Sequence, residues 1–451
     1  MSGIRHLRPF RGSRMKWKFR PLTANCESGR SSLLRSAALF SLAAMAMVLA
    51  APQAAWAQRL SSYQDPLPRQ SQLDRFNLTR AWIGTATLDA GRDRLLSLSL
   101  DDDKLYAQSS NGVLTAFDSA NGKRAWAAQL GRRDEVTFPC AFNEDQVLVV
   151  YGMTLFALEK ETGNIRWKLR LSNFPSTGPY ADAANLYIGF LDGTMVAFDL
   201  RKIEELYRKS MLPQWSYLTI RWRYDTNRKI LAPATSTGGL VFFASTNRNL
   251  YAVTPDTRDL MFQLETDAPI VAPIVQHRDT LLVASQDSRL YSINLLNGTV
   301  LWQFVTGSPI SQSPQVIEDD LFLVPDRGGM HLLSATSGKQ KWRRPEVAAF
   351  LAATPSAVYA SDRQDNLLVI SRANGALLGI IPLDAFTLKL SNDRTDRIYV
   401  GTRDGLIMCL HERDRNDPIF YKYPERQPLL PVIVPEDEAD DEAMDEPSPF
   451  E

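Results

Sequence analysis

The sequence predicts an all-β fold, an eight-bladed β-propeller built from four-stranded antiparallel blades. Three observations predict it: a tryptophan that recurs about every 40 residues, a turn glycine at a fixed distance before most of these tryptophans, and short apolar runs separated by turn residues. A repeat of that length is the size of one propeller blade. Because a single blade cannot bury both of its faces, we expect the blades to pack side by side in a closed ring.

The spacing of large aromatic residues defines the period. The step from Trp167 to Trp222 is 55 residues, because an insertion of fifteen residues follows Asp199. Without that insertion, the segment from Trp82 to Ile419 divides into eight repeats of about 40 residues. We expect seven aromatic residues to dock one blade on the next: Trp82, Trp126, Trp167, Trp222, Phe262, Trp302 and Trp342.

Each complete repeat follows the frame Ala-x-Asp-x-x-x-Gly-x-x-x-Trp. The glycine suits a tight turn in which φ is positive. Four positions depart from the frame: Arg258 replaces a glycine, Phe262 and Gly379 stand where a tryptophan is expected, and an insertion follows Asp199. These departures concern single docking contacts and leave the architecture unchanged. The glycines expected to complete docking contacts are Gly122, Gly163, Gly298 and Gly338.

The strands of each repeat are short apolar runs bounded by turn residues. Residues 194–198 follow an Asp-Gly pair, which is a strong hairpin signal. Two segments could complete the last blade and close the ring: the strand that contains Trp82, or residues 419–423. We favour the Trp82 strand because it supplies the docking aromatic that Ile419 lacks.

The two ends of the chain differ from its body. Residues 1–57 carry nine Lys or Arg and one Asp or Glu, and they contain an apolar run over 37–51 and an Ala-Trp-Ala triplet at 55–57. This pattern predicts a cleaved export signal, with an uncleaved anchor as the alternative. Residues 58–79 then form an N-terminal extension, 80–423 the propeller, and 424–451 a proline-rich and acidic tail that we expect to be disordered.

The body of the chain suggests neither nucleic-acid binding nor catalysis. Residues 58–435 carry 42 basic and 41 acidic residues, whereas phosphate backbones are bound by concentrated basic faces. His277, His331 and His411 lie in different repeats without a neighbouring serine or carboxylate motif. Cys140 and Cys409 are expected to be buried apolar residues, and a disulfide between them is the alternative. We therefore predict no catalytic residue, no cofactor and no metal site.

The insertion is the most distinctive segment of the sequence. The fifteen extra residues lie within residues 200–221, a segment that contains apolar residues at a helical spacing. Two hypotheses follow: this stripe contacts a partner protein, or it packs on the blade that carries it. The candidate contact residues are Ile203, Leu206, Tyr207 and Met211.

The repeat frame resembles the tryptophan-docking repeat of quinoprotein-like (PQQ-like) propellers over residues 82–420. One branch of that family contains quinone-dependent dehydrogenases, which commonly show an adjacent cysteine pair and a cluster of calcium- and quinone-binding residues. This sequence has no Cys-Cys pair and no match to that cluster. It is more similar to the BamB-type propellers of the outer-membrane barrel-assembly machinery. It departs from them in lacking a lipid-attachment cysteine and in carrying an acidic tail.

The resemblance implies an exported, non-catalytic scaffold in the periplasm or at the outer membrane. Its partners would be envelope proteins, with outer-membrane assembly components as the specific hypothesis. We expect a monomer that acts within a complex, with peripheral membrane association and no nucleic-acid partner. The alternatives are a PQQ-dependent quinoprotein dehydrogenase and a propeller that binds cell-envelope carbohydrate.

Overall fold

The computed structural model describes residues 66–426. The predicted export signal, most of the predicted N-terminal extension, and residues 427–451 of the predicted tail lie outside the described residues. Within residues 66–426, no helix has the length and apolar character needed to span a bilayer.

The described residues form eight four-stranded antiparallel sheets, which are the eight predicted blades. The first strand, β1 (Leu78–Thr85), belongs to the last blade. Blades 1 to 4 follow in chain order: β2 (Leu95–Leu100), β3 (Lys104–Ser109), β4 (Val113–Asp118), β5 (Arg124–Gln129); β6 (Ala141–Phe142), β7 (Gln146–Tyr151), β8 (Thr154–Glu159), β9 (Ile165–Arg170); β10 (Tyr180–Ala181), β11 (Asn185–Gly189), β12 (Thr194–Asp199), β13 (Ile220–Asp225); β14 (Thr235–Thr237), β15 (Leu240–Ala244), β16 (Asn249–Val253), β17 (Leu260–Glu265).

Blades 5 to 8 repeat the arrangement and contain the remaining strands: β18 (Val275–His277), β19 (Thr280–Ala284), β20 (Arg289–Asn294), β21 (Val300–Val305); β22 (Gln315–Ile317), β23 (Asp320–Leu323), β24 (Met330–Ser334), β25 (Gln340–Arg344); β26 (Ala349–Ala353), β27 (Ala357–Ser361), β28 (Leu367–Ser371), β29 (Leu377–Ile381); β30 (Leu388–Lys389), β31 (Ile398–Gly401), β32 (Leu406–Glu412). Within residues 66–426, two α-helices stand outside the blades, α1 (Gln70–Asp74) and α2 (Leu200–Arg208). Short 3-10 turns lie at Ser216–Thr219 and Pro424–Arg426.

Burial changes from strand to strand within a blade. The second strand β7 has the sequence QVLVVY and is buried at all six positions. The fourth strands β5 and β9 bury their tryptophan while the flanking positions are mostly exposed. A run of apolar residues thus marks a strand covered on both faces, and alternation marks a strand with one face in solvent.

The hydrophobic core is divided among the blade interfaces. Eight clusters of buried side chains occur in the described chain, and each joins two neighbouring blades. One of them joins blade 8 to blade 1, where Trp82, Tyr399 and Cys409 meet Leu105 and Phe117. Each blade is therefore covered on both faces by its neighbours, as a closed ring requires.

Blade 8 is completed by the two ends of the described chain. Strand β1 pairs antiparallel with β32, from Leu78 opposite Glu412 to Thr85 opposite Leu406. Ile419 lies outside the blade, and its backbone N–H donates to the carboxylate of Asp396. The strand with Trp82 therefore supplies the fourth strand of blade 8, and residues 413–426 form an extension.

Strand alternation gives the ring two unlike ends. The connections between first and second strands, and between third and fourth strands, lie at one end, which we call the docking end. The turns between second and third strands, and the connections between blades, lie at the other, which we call the crossover end. Helix α2 follows the third strand β12, and α1 precedes the fourth strand β1, so both helices lie at the docking end.

Candidate functional site

The regular docking contact joins an indole ring to the turn of the next blade. Trp126 in β5 donates its Nε1–H to the carbonyl oxygen of Lys160 at 2.9 Å. A Cβ added to Gly163, whose φ is +73°, would overlap the Trp126 ring. Glycine is required here twice, for the positive φ and for the close approach of the ring. The same donation joins Trp82 to Ser119, Trp222 to Pro255, and Trp342 to Arg372.

The other docking positions follow the same geometry with substitutions. The glycines that face a ring pair as Gly122 with Trp82, Gly298 with Phe262, Gly338 with Trp302, and Gly375 with Trp342. Arg258 keeps the left-handed turn conformation, with φ +66°, and its guanidinium donates to the carbonyl of Arg223 at 2.6 Å. The turn shape thus persists where the glycine does not.

Trp167 is covered by a helix in place of a docking turn. Its side chain is fully buried, and its Nε1–H has no acceptor among the described residues. In the contacts of Trp82, Trp126 and Trp342, the acceptor is the carbonyl of the residue directly after the third strand. Here that residue is Leu200, which begins α2 and directs its carbonyl along the helix axis. The insertion therefore leaves the Trp167 N–H without a hydrogen bond and covers its ring with apolar side chains of α2.

The four candidate contact residues of the insertion are not equally available to a partner. Ile203 is buried in the same cluster as Trp167, and Leu206 is buried as well. Tyr207 packs on the edge of that cluster, and Met211 is half-buried. The packing hypothesis therefore describes Ile203 and Leu206, and their position excludes them from a surface contact in this conformation.

The docking position in blade 7 is filled from the opposite end of the chain. Gly379 pairs with Val369 in the register that places Trp342 opposite Leu332 in blade 6. A Cβ on Gly379 would overlap the ring of Phe76, which lies between α1 and β1. Phe76 therefore occupies the space of the missing indole. The repeat frame contained no signal for it, because Phe76 precedes the first repeat.

An apolar groove lies at the crossover end and was not predicted. It is lined by the connections that follow blades 1, 2 and 3 and by the turns between them, and its volume is about 830 Å³. Four of its side chains are 41 to 64% exposed: Val136, Phe174, Leu191 and Leu231. Large apolar residues gathered in one exposed groove are typical of a protein-binding surface.

A second, charged cleft lies at the docking end. Asp101, the first of three consecutive aspartates, is buried and forms an ion pair with Lys160 at 2.6 Å. Asp102 pairs with Arg394 at 2.7 Å, and Asp103 with Arg426 at 3.2 Å. The three carboxylates thus tie blade 1 to blade 2, to blade 8 and to the C-terminal extension.

The histidines and cysteines of the blades are held in their neutral forms. Burial lowers the pKa of His277, His331 and His411 below the ordinary value. Burial raises the pKa of both Cys140 and Cys409 to about 12, and the two cysteines are unpaired. In residues 66–426, no three His, Cys, Asp or Glu side chains are close enough together to hold a metal ion.

Comparison with known proteins gives a family and a fold. A family model described as "Outer membrane protein assembly factor BamB" matches residues 110–221 and 219–416, more than half of the chain. No curated protein matches the sequence. The crystal structure of BamB from Moraxella catarrhalis is 13% identical, with a TM-score of 0.58 over 74% of this chain and 99% of that one. The computationally designed Ika8 protein is also 13% identical, with a TM-score of 0.58 over 73% and 98% of the two chains.

Proposed function

The chain belongs to the family of outer membrane protein assembly factor BamB, and from this membership we propose that it is a non-catalytic scaffold for outer-membrane protein assembly. In this role the rigid ring holds partner proteins and carries out no reaction. The similarity to solved structures supports the fold alone, because the computationally designed protein resembles the chain as closely as the BamB structure does.

The apolar groove at the crossover end is the observation that carries the proposal. Val136 and Phe174 are more than half exposed, although burying such side chains releases about 25 cal/mol per Å² of apolar surface. They project from irregular connections that rest on a rigid ring. Such a surface is suited to bind a partner with little loss of conformational entropy. We propose that a component of the outer-membrane assembly machinery packs into this groove.

The proposed location is the periplasm or the inner face of the outer membrane. It depends on the export pattern of residues 1–57, which lies outside the described residues. Processing can be tested by N-terminal sequencing of the envelope-associated protein. A mature chain that begins at Gln58 supports export by a cleaved signal, and an intact N-terminus supports the uncleaved anchor.

Cross-linking and affinity capture from envelopes of the native host test the scaffold proposal. Phe174→Asp and Val136→Asp place a charge in the groove, and Leu296→Asp is the matched control because Leu296 is 69% exposed at the docking end. We expect the wild type and the control to capture barrel-assembly components, and each groove variant to lose at least about tenfold of that capture.

Equal capture of those components by all four proteins would contradict the groove assignment. Circular dichroism and thermal unfolding should show that the three variants are folded. Tight binding of PQQ with calcium, together with dye reduction, would instead support the dehydrogenase alternative.

A further inference from the structure

The charged cleft at the docking end has an excess of carboxylates. Its volume is about 730 Å³, within the range of ligand-binding pockets, and its lining contains eight Asp or Glu and five Lys or Arg. It is formed by the first hairpins of blades 1, 2 and 3, by α2 and by the C-terminal extension. The cleft therefore carries net negative charge at neutral pH.

Ion pairs within the cleft leave part of this charge uncompensated. Four of the basic residues are paired with carboxylates of the cleft: Lys104, Lys160, Arg394 and Arg426. Arg201 is exposed and has no ion pair within residues 66–426. Among the same residues, Glu144, Asp182 and Glu204 have no Lys or Arg partner. A cation that enters the cleft would meet these three carboxylates.

Gln146 provides an independent indication of the ligand. It is 6% exposed, lines the cleft, and donates its Nε2–H to Glu204 at 2.7 Å. Its Oε1 has no donor in the part of the chain that the structure describes. An unpaired buried acceptor is costly, so rotation of this amide toward the cleft, where a ligand supplies an N–H, would gain a hydrogen bond that the free protein lacks.

We propose that this cleft binds a lysine- or arginine-rich segment of a partner protein. Ammonium and guanidinium groups supply both the positive charge that the carboxylates attract and the N–H donors that Gln146 lacks. The cleft is far larger than a metal ion, and the described residues contain no grouping suited to coordinate one. The site lies at the end of the ring opposite to the apolar groove, so a scaffold could hold two partners at once.

Peptide binding to the full chain tests the proposal. The probe is a fluorescein-labelled peptide of alternating Lys and Ala, with a Glu-Ala peptide of equal length as the reference. We expect fluorescence anisotropy to show binding of the basic peptide only. The affinity should fall as salt is raised from about 50 to about 300 mM, because salt screens partly exposed charges.

The double variant Glu144→Gln and Glu204→Gln should bind roughly three- to tenfold more weakly, since each lost charge interaction is modest at a partly exposed site. The matched control is Glu346→Gln with Asp384→Asn, which removes the same charge from exposed positions at the crossover end. It should bind as the wild type does. Unchanged thermal unfolding of both variants establishes that the folds are intact.

Three outcomes would overturn the proposal. Equal weakening by the control pair would show that only overall charge attracts the peptide. Loss of binding when the chain is ended at Arg426, with no effect of the cleft variant, would assign the peptide to the acidic tail. Binding of Ca²⁺ by the cleft, detected by calorimetry, without binding of the peptide would show that its ligand is a metal ion.

Discussion

Two blade contacts each pair an aromatic ring with a glycine, but with the two residues exchanged. One contact joins blades 1 and 2, and the other joins blades 7 and 8. In the first, Trp126 of the outer strand packs on Gly163 in the turn of the next blade. In the second, the glycine is Gly379 in the outer strand, and Phe76 comes from the position of the turn. The inversion follows from the closure of the ring. Blade 8 has no turn between its third and fourth strands, because β1 comes from the start of the chain.

The comparison indicates that each of these two contacts pairs one aromatic ring with one glycine, whichever strand supplies each. In the regular contact the glycine also satisfies a positive φ, whereas Gly379 has no such backbone requirement. The inverted contact thus depends on packing alone. It also makes the residues before β1 part of the last blade interface, although they lie outside the repeat.

Replacement of the regular docking ring should have the largest effect. Trp126→Ala leaves a cavity and an unpaired acceptor at Lys160, so we expect a loss of about 3–5 kcal/mol in the free energy of unfolding. Denaturant or thermal unfolding measures it. Trp215→Ala is the control, because Trp215 is 41% exposed in the insertion and should change stability little. Similar losses in both variants would show that Trp126 does not dock the blades.

Removal of the Phe76 ring from the inverted contact should lower the free energy of unfolding by less. Phe76 is half-buried and makes no polar contact through its ring, so we expect Phe76→Ala to cost about 2 kcal/mol. The destabilisation should be concentrated at the closure, and hydrogen exchange in β1 and β29 should accelerate before exchange in blades 3 to 5. Phe174→Ala, at an exposed phenylalanine, is the control. Uniform acceleration in all blades would contradict a local role for Phe76.

Two double-mutant cycles distinguish the contacts more finely. Gly379→Ala should destabilise the wild type because its Cβ overlaps Phe76, and should cost little when Phe76 is already alanine. The expected coupling is about 1–2 kcal/mol. Gly163→Ala should remain unfavourable by about 1 kcal/mol even with Trp126→Ala, because the strain of a positive φ persists. Two results would contradict this difference between the contacts. One is a Gly163→Ala substitution that costs nothing once Trp126 is alanine, and the other is a Gly379→Ala substitution that costs as much with Phe76→Ala as without it.

The sequence predicted the features that recur in every repeat and missed the contacts that lie outside the repeats. The 40-residue spacing predicted the eight blades, because equivalent blade interfaces need equivalent residues. Phe76 was missed because it stands outside every repeat, and its only signal was the unexplained Gly379. The groove around Val136 and Phe174 was missed for another reason. Side-chain chemistry predicts that large apolar residues are buried, and only coordinates reveal those that are exposed.

Helix α2 shows the same limit within a single segment. The helical spacing predicted an amphipathic helix, and residues 200–208 form it. The spacing did not indicate which surface its apolar stripe would cover. The insertion takes the place of the turn on which Trp167 would dock. The apolar stripe of α2 covers the Trp167 ring instead.

Acidification should weaken the closure slightly, and this is the smallest effect we expect. His411 lies in β32 opposite Thr79 of β1, and burial, followed by the charge of Arg397, lowers its pKa below the ordinary value of 6.5. Its Nδ1 lies 2.8 Å from the carbonyl oxygen of Glu412 and 2.9 Å from that of Arg415. The ring is therefore placed to donate through Nδ1 while it is neutral.

The direction of the pH effect follows from linkage. A histidine with a lowered folded pKa binds its proton more readily in the unfolded chain, so its stabilising contribution is complete above pH 6.5 and is lost as the pH falls through the folded pKa. Hydrogen exchange of β1, corrected for intrinsic rates, should therefore accelerate between about pH 7.5 and about pH 5.5. His411→Gln should reduce this acceleration, and His277→Gln in blade 5 should leave it unchanged. An equal reduction in both variants would mean that acid loosens the ring as a whole and that the closure has no separate sensitivity.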